Sequence, residues 1–193
     1  MDFTERQLES EILYQGRIIT VRRDRALLPN GKTAVREVCE HCGGVGVLPV
    51  DENGCAVMVR QYRYPYGEEL LEIPAGKMDH GAEDHLACGA RELSEETGLC
   101  ADEMRYLGCV YPSPGFLTEV LHLYLATGLR PCPGVPDEDE FLAVERIPLA
   151  VLAEKIASGE VRDAKTVAAF GKMLLIRPDL ADKILPMTGG GVK

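Results

Sequence analysis

The stretch Ala90–Leu99, "ARELSEETGL", decides how the rest of the chain is read. It sets three glutamates, Glu92, Glu95 and Glu96, within five residues, yet the apolar Ala90, Leu93 and Leu99 mark it as part of a folded domain. Like charges held this close repel unless something neutralises them. Leu86, Ala90, Leu93 and Thr97 keep the i, i+4, i+7, i+11 spacing of one helical face. That spacing predicts a helix over 83–97 with this face buried and with Glu83 and Asp84 in the first turn. Gly98 is placed to end it in the left-handed conformation. Gly89, mid-helix, costs about 1 kcal/mol relative to Ala, which suits a close backbone approach. Glu92 and Glu96 are one turn apart and Glu95 lies beside them, so the carboxylates are expected on the side away from Leu86, Ala90 and Leu93. A shared divalent cation would relieve their repulsion, and hard oxygen donors suit Mg²⁺, with Mn²⁺ as an alternative, rather than zinc. Spacing alone also fits a solvated acidic face.

Working outward, the chain has 193 residues, enough for one domain or one domain with a small appendage. Its hydrophobic fraction of 46% and charged fraction of 27% are those of an ordinary globular protein. A net charge of -10 argues against a broad nucleic-acid-binding surface. An acidic protein that handles phosphates needs local arginines or metal ions. The N-terminal "MDFTERQLES" lacks an apolar h-region, so no signal peptide is expected, and no apolar run is long enough to span a membrane. The expected location is cytoplasmic. Seven scattered cysteines, an odd number, suggest free thiols in a reducing compartment. "CEHC" at Cys39–Cys42 is only half of a zinc site, and we read it as two small residues at a strand end.

Residues 11–40 read as β structure, with "PNG" at 29–31 as a turn. "VGVLPV" (45–50) and "CAVMVRQYRY" (55–64) are apolar on both faces and therefore central strands, joined through Asn53-Gly54. "EELLEIPAG" is a further short strand ended by Pro74, and 119–127 and "FLAVERIPL" are two more. Residues 149–158 and 163–176 are amphipathic helices, lined by Leu149, Leu152 and Ile156 and by Val167, Phe170 and Leu174. "PCPGVPDEDE" is a Pro-rich acidic loop.

Upstream of the glutamates, "PAGKMDHGAED" runs into the helix. With "RELSEETGL" it resembles the Nudix box, G-x5-E-x7-R-E-U-x-E-E-x-G-U, in which U is aliphatic. Gly76, Glu83, Arg91, Glu92, Leu93, Glu95, Glu96, Gly98 and Leu99 stand at the box positions. One departure is the six residues, not five, between Gly76 and Glu83, with Ala82 as the extra one in a loop. "LPNGKTAVREV", "VRQYRYPYGEELLEIPAGK", "YPSPGFLTEVLHLYLAT", "PDEDEF" and "SGEVRDAKT" resemble the ADP-ribose pyrophosphatase branch of that family.

The resemblance implies an α/β/α Nudix sandwich with a mixed sheet over 44–180, after an N-terminal antiparallel β subdomain over 1–43; the "GGGVK" end predicts a flexible tail over 181–193. It implies hydrolysis of ADP-ribose to AMP and ribose 5-phosphate, with a homodimer whose N-terminal subdomain completes the neighbour's adenine site. Glu92, Glu95, Glu96 and the Ala75 carbonyl would hold Mg²⁺. Arg63 would clamp the phosphates, as a fixed guanidinium can; its plain alternative is a surface strand arginine. Arg36 and Glu37 would meet the adenine, or form an exposed cross-strand ion pair instead. Pro114 occupies the position that marks ADP-ribose hydrolases. Glu138 or Glu140, in the acidic loop, would activate the attacking water, unless that loop is simply solvated. His80, His85 and His122 read as surface or packing residues. The rival functions are hydrolysis of another nucleoside diphosphate derivative, such as a nucleotide sugar, and a non-catalytic module that binds ADP-ribose.

Overall fold

The computed structural model describes residues 2–78, 84–134, 141–182 and 184. They divide into two compact units, one formed by the chain up to Gly43 with Tyr111–Val120, the other by Gly44–Val110 and the described residues from Leu121 on.

In the first unit, β1 (Arg6–Gln15), β2 (Thr20–Leu27) and β3 (Thr33–Glu40) form an antiparallel sheet in sequence order. The β2–β3 connection closes through Leu28 N–H to the Lys32 carbonyl at 2.8 Å, with Gly31 at φ 82°. Only glycine adopts that angle freely, so "PNG" is the turn its composition predicts. Opposite charges face each other across the ladder: Arg23 pairs with Glu11 at 2.6 Å, and Asp24 stands opposite Arg36. Tyr111–Val120 docks on the end of β3, where Cys39 N–H donates to the Phe116 carbonyl at 2.7 Å. All of β1 is exposed, including Leu8, Ile12, Leu13 and Tyr14.

The second unit contains β4 (Gly44–Pro49), β5 (Cys55–Arg63), β6 (Glu68–Glu72), β7 (Ala75–Lys77), α1 (His85–Thr97), β8 (Leu99–Val110), β9 (Leu121–Pro131), β10 (Leu142–Pro148), α2 (Leu149–Ala157), α3 (Ala164–Ile176) and α4 (Pro178–Ala181). One sheet has the order β7-β4-β9-β8, with β4 and β9 parallel and the outer pairs antiparallel; the other is antiparallel, β10-β5-β6. Strand alternation explains how helices cover both sides. Val45 and Val47 of β4, Val57 of β5 and Tyr124 and Ala126 of β9 pack with Cys88 and Leu93 of α1. Their neighbours Leu48, Met58, Leu123 and Leu125 pack instead with Leu152 of α2 and Phe170 and Met173 of α3. The mixed sheet thus lies between helices, as expected, and β4 and β5 are central.

Several expectations need correction. Leu86 and Ala90 of α1 are exposed, and the buried residues are Cys88, Gly89, Glu92, Leu93 and Glu96. The cause is the close approach at Gly89, where an added Cβ would lie 2.9 Å from Val45 Cγ1 and 3.2 Å from Val47 Cγ2. That contact turns the glycine side of α1 to the sheet and carries two glutamates inward with it. Asp84 sits outside the first turn as the N-cap, accepting from Ala87 N–H at 2.8 Å; Glu83 lies outside the described residues. In α3, Val167 is exposed and Lys165, Thr166, Ala169, Phe170 and Met173 are buried. β8 has no counterpart in the sequence reading, because its alternation is broken by charged residues and by the register shift between Tyr106 and Gly108. Finally, Cys100 and Cys132 form a disulfide, leaving Cys39, Cys42, Cys55, Cys88 and Cys109 as thiols. Antiparallel pairing of Leu99 with Pro131 and Cys100 with Arg130 brings the two Cα atoms to 5.6 Å, within bridging range.

Candidate active site

The site is built on the contact between α1 and the short β7. Pro74 interrupts the chain between β6 and β7, and its carbonyl accepts from Val47 N–H at 2.9 Å, which holds Ala75 and Gly76 under the helix. Ala75 N–H then donates to the Glu96 carboxylate at 3.1 Å. The Glu92 carboxylate lies directly on Gly76, where a Cβ would stand 1.8 Å from Oε1. A glycine is therefore required at 76 for the carboxylate to occupy this place. Glu92 and Glu96 are 7% and 4% exposed, far below what a solvated acidic face shows.

Arg91 organises the other side. Its guanidinium meets Glu92 at 2.8 Å and Glu95, one turn on, at 2.6 Å. Among the described residues no three metal-ligating side chains converge into a ready-made cage. The donor set nevertheless fits a hard divalent cation, since the carboxylate oxygens of Glu92 and Glu96 are brought together on the backbone at Ala75–Gly76, where the bare glycine makes room for Glu92. Replacing Gly76 by Ala should push the Glu92 carboxylate out of that cradle. If Glu92 holds a divalent ion, the ion concentration for half-maximal activity should rise by about 10–100-fold, the scale for displaced support of a metal ligand, with the melting temperature little changed. An unchanged metal titration would show that Glu92 does not depend on Gly76.

Arg63, at the end of β5, presents a second group of charges. Its Nε and Nη2 each donate to Glu72 at 2.7 Å. Glu72 is 1% exposed and also accepts from the Lys165 ammonium, itself buried at the start of α3. Burial alone would push the Glu72 carboxyl up, but Arg63 and Lys165 outweigh it and hold the group below its ordinary value. The same pairing raises Arg63. Glu72 and Lys165 escape the sequence reading; the available signal is a single charged residue inside each of the runs "LLEIPAG" and "AKTVAAF", whose other residues carry no charge.

The remaining candidates lie elsewhere. Arg36 is on β3 of the first unit, where it donates to both Glu5 oxygens at 2.8 and 2.6 Å, and Glu37 stands opposite Arg23. Pro114 belongs to the Tyr111–Val120 segment of that unit. Glu138, Glu140 and His80 lie outside the described residues. His85 and His122 stack with ring centroids 4.2 Å apart, His122 bonds to Tyr106 at 2.9 Å, and His85 bonds to the Tyr124 hydroxyl. Burial and the neighbouring His85 push His122 below the usual imidazole value. These contacts give the two histidines a packing role.

The NUDIX domain model matches residues 40–170, more than half of the chain and all of the α1–β7 site. The chain belongs to the Nudix family. A second model, the nucleoside diphosphate sugar hydrolase N-terminal domain, matches residues 5–39. The chain is 38% identical over 169 residues to the methanol dehydrogenase activator of Bacillus methanolicus, spanning 86% of this chain and 91% of that one. It is also 38% identical over 168 residues to the ADP-ribose pyrophosphatase of Bacillus subtilis (strain 168), spanning 86% and 90%. A solved structure described as an ADP compounds hydrolase has the same fold, with a TM-score of 0.78 at 23% identity over 98% of both chains. Nudix hydrolases generally use divalent metal ions, and the α1–β7 contact of this member has the donors for one.

Proposed function

We propose that this Nudix protein hydrolyses the diphosphate of ADP-ribose in the presence of Mg²⁺, giving AMP and ribose 5-phosphate. The observation that carries the reading is the pair of buried carboxylates, Glu92 and Glu96, held on Ala75–Gly76 beside Arg91. The likeness to an ADP-ribose pyrophosphatase over most of both chains supports the substrate. Glu92, Glu95, Glu96 and the Ala75 carbonyl would hold Mg²⁺, with Mn²⁺ as an alternative. When bound, the ion supplies charge neutralisation of the diphosphate and lowers the pKa of water. Arg63 binds the phosphates. Arg36 stacks on the adenine, Glu37 accepts from its exocyclic amine, and Pro114 lines the same substrate. Glu138 or Glu140 takes the proton as the water oxygen bonds to phosphorus and the bridging P–O bond breaks.

Incubating the protein with ADP-ribose and Mg²⁺ should release AMP, read by chromatography. No AMP with ADP-ribose, but turnover of a nucleotide sugar, would favour the second reading, for which the match of residues 5–39 to a nucleoside diphosphate sugar hydrolase domain speaks. Tight binding of ADP-ribose without turnover would leave the sensor. The same proposal includes a homodimer that shares its adenine sites, because β1 leaves Leu8, Ile12, Leu13 and Tyr14 exposed on the strand that opens the chain. Sedimentation should find a dimer at assay concentration; a fully active monomer would contradict it. Among the described residues no helix is long and apolar enough to cross a membrane. A cytoplasmic location completes the reading, with the Cys100–Cys132 disulfide as the feature that speaks against it.

A further inference from the structure

We infer that Lys165 is a positioning residue: acting through the buried Glu72, it sets the orientation of the Arg63 guanidinium. The inference rests on the proposed role of Arg63 at the substrate phosphates.

Glu72 is the shared centre. Its side chain accepts both parallel bonds from Arg63, a bidentate geometry that fixes the guanidinium plane. The oxygen that receives Arg63 Nη2, Oε2, also receives the Lys165 ammonium. The carboxylate therefore cannot swing with the arginine. It is tethered from behind by a residue 8% exposed. Lys165 is in turn held by Asp163 at 3.0 Å, and Asp163 caps α3 by accepting from Thr166 N–H at 3.0 Å.

Thr166 completes the frame. Its hydroxyl accepts from Ile73 N–H at 2.9 Å, one residue after Glu72 and two before Ala75, whose N–H holds Glu96. The first turn of α3 thus grips the backbone at Ile73 through Thr166 and the carboxylate at Glu72 through Lys165.

Lys165 is itself balanced by Asp163, so the effect of the network on Arg63 is geometric: the guanidinium is fixed in plane by Glu72 while its side chain stays 37% exposed, open to an anionic diphosphate.

The test uses the full chain labelled with nitrogen-15. The Arg63 Nε–H signal, identified by its loss in Arg63→Lys, should be resolved and slow to exchange in the wild type. Lys165→Met keeps the stem and removes the ammonium. It should shift or broaden that signal and lower kcat/KM for ADP-ribose by about 10–100-fold, the range found for outer-shell partners of metal ligands. Lys165→Arg should restore both. In an Arg63→Lys background, Lys165→Met should cost nothing further, since coupled residues are not additive. If Lys165→Met does not fold, Lys165→Gln makes the same comparison. An unmoved Nε–H signal, or losses that multiply in the double variant, overturns the inference. A wild type that releases no AMP sinks the functional reading instead, and the Nε–H signal still decides whether Lys165 orients Arg63.

Discussion

Glu96→Gln should abolish most of the activity while leaving the fold intact. The substitution keeps the size of the side chain, and its amide oxygen can still accept from Ala75 N–H, so the α1–β7 contact survives. What it removes is one negative charge from a site 4% exposed, where water cannot replace it. If Glu92, Glu95 and Glu96 together hold a divalent cation, kcat/KM at fixed Mg²⁺ should fall by about 10²–10³-fold, the scale for loss of a preorganised electrostatic group. The far-ultraviolet circular dichroism and the melting curve should stay close to wild type. Turnover within about threefold of wild type at saturating Mg²⁺, against that expected scale, would remove Glu96 from the site.

Replacing Glu138 and Glu140 by Gln should lower kcat by about 10²–10⁴-fold, the usual contribution of a general base, with KM little changed. That pattern marks an interaction made only in the transition state. Metal affinity should not move, because α1 and Ala75–Gly76 are untouched. The single variants decide which carboxylate takes the proton. The opposing account leaves "PDEDE" as a solvated loop and gives water activation to the metal and the box glutamates. A double variant with wild-type kcat across the pH range would establish that account.

Helix α1 can be read from the sequence because its signals are local: Gly98 ends it in the left-handed region at φ 67°, whereas Asp84, which the spacing places within the first turn, instead caps the helix from outside through the Ala87 N–H three residues on. The box spacing is local too, and so is the Arg91–Glu95 pair. The buried side of α1 is not. Counting apolar residues assumes that what is buried is apolar, and here Leu86 is 44% exposed while Glu92 and Glu96 are inside. The reversal depends on partners that α1's own spacing does not reveal, namely Val45 and Val47 against Gly89 and the bare Gly76 against Glu92.

By itself, then, the sequence determined the strands with regular patterning, the helix carrying the glutamates, and the family to which both belong, because turns, caps and box spacing act over a few residues. Tertiary structure alone decided that the acidic residues face inward, that Arg63 is held by Glu72, that Cys100 reaches Cys132, and that Lys165 stands behind the arginine. Glu72 and Lys165 are 93 residues apart in the chain. The register of β5 and β6 and the docking of α3's first turn bring them together, and contacts made by packing at that distance leave no periodicity to read.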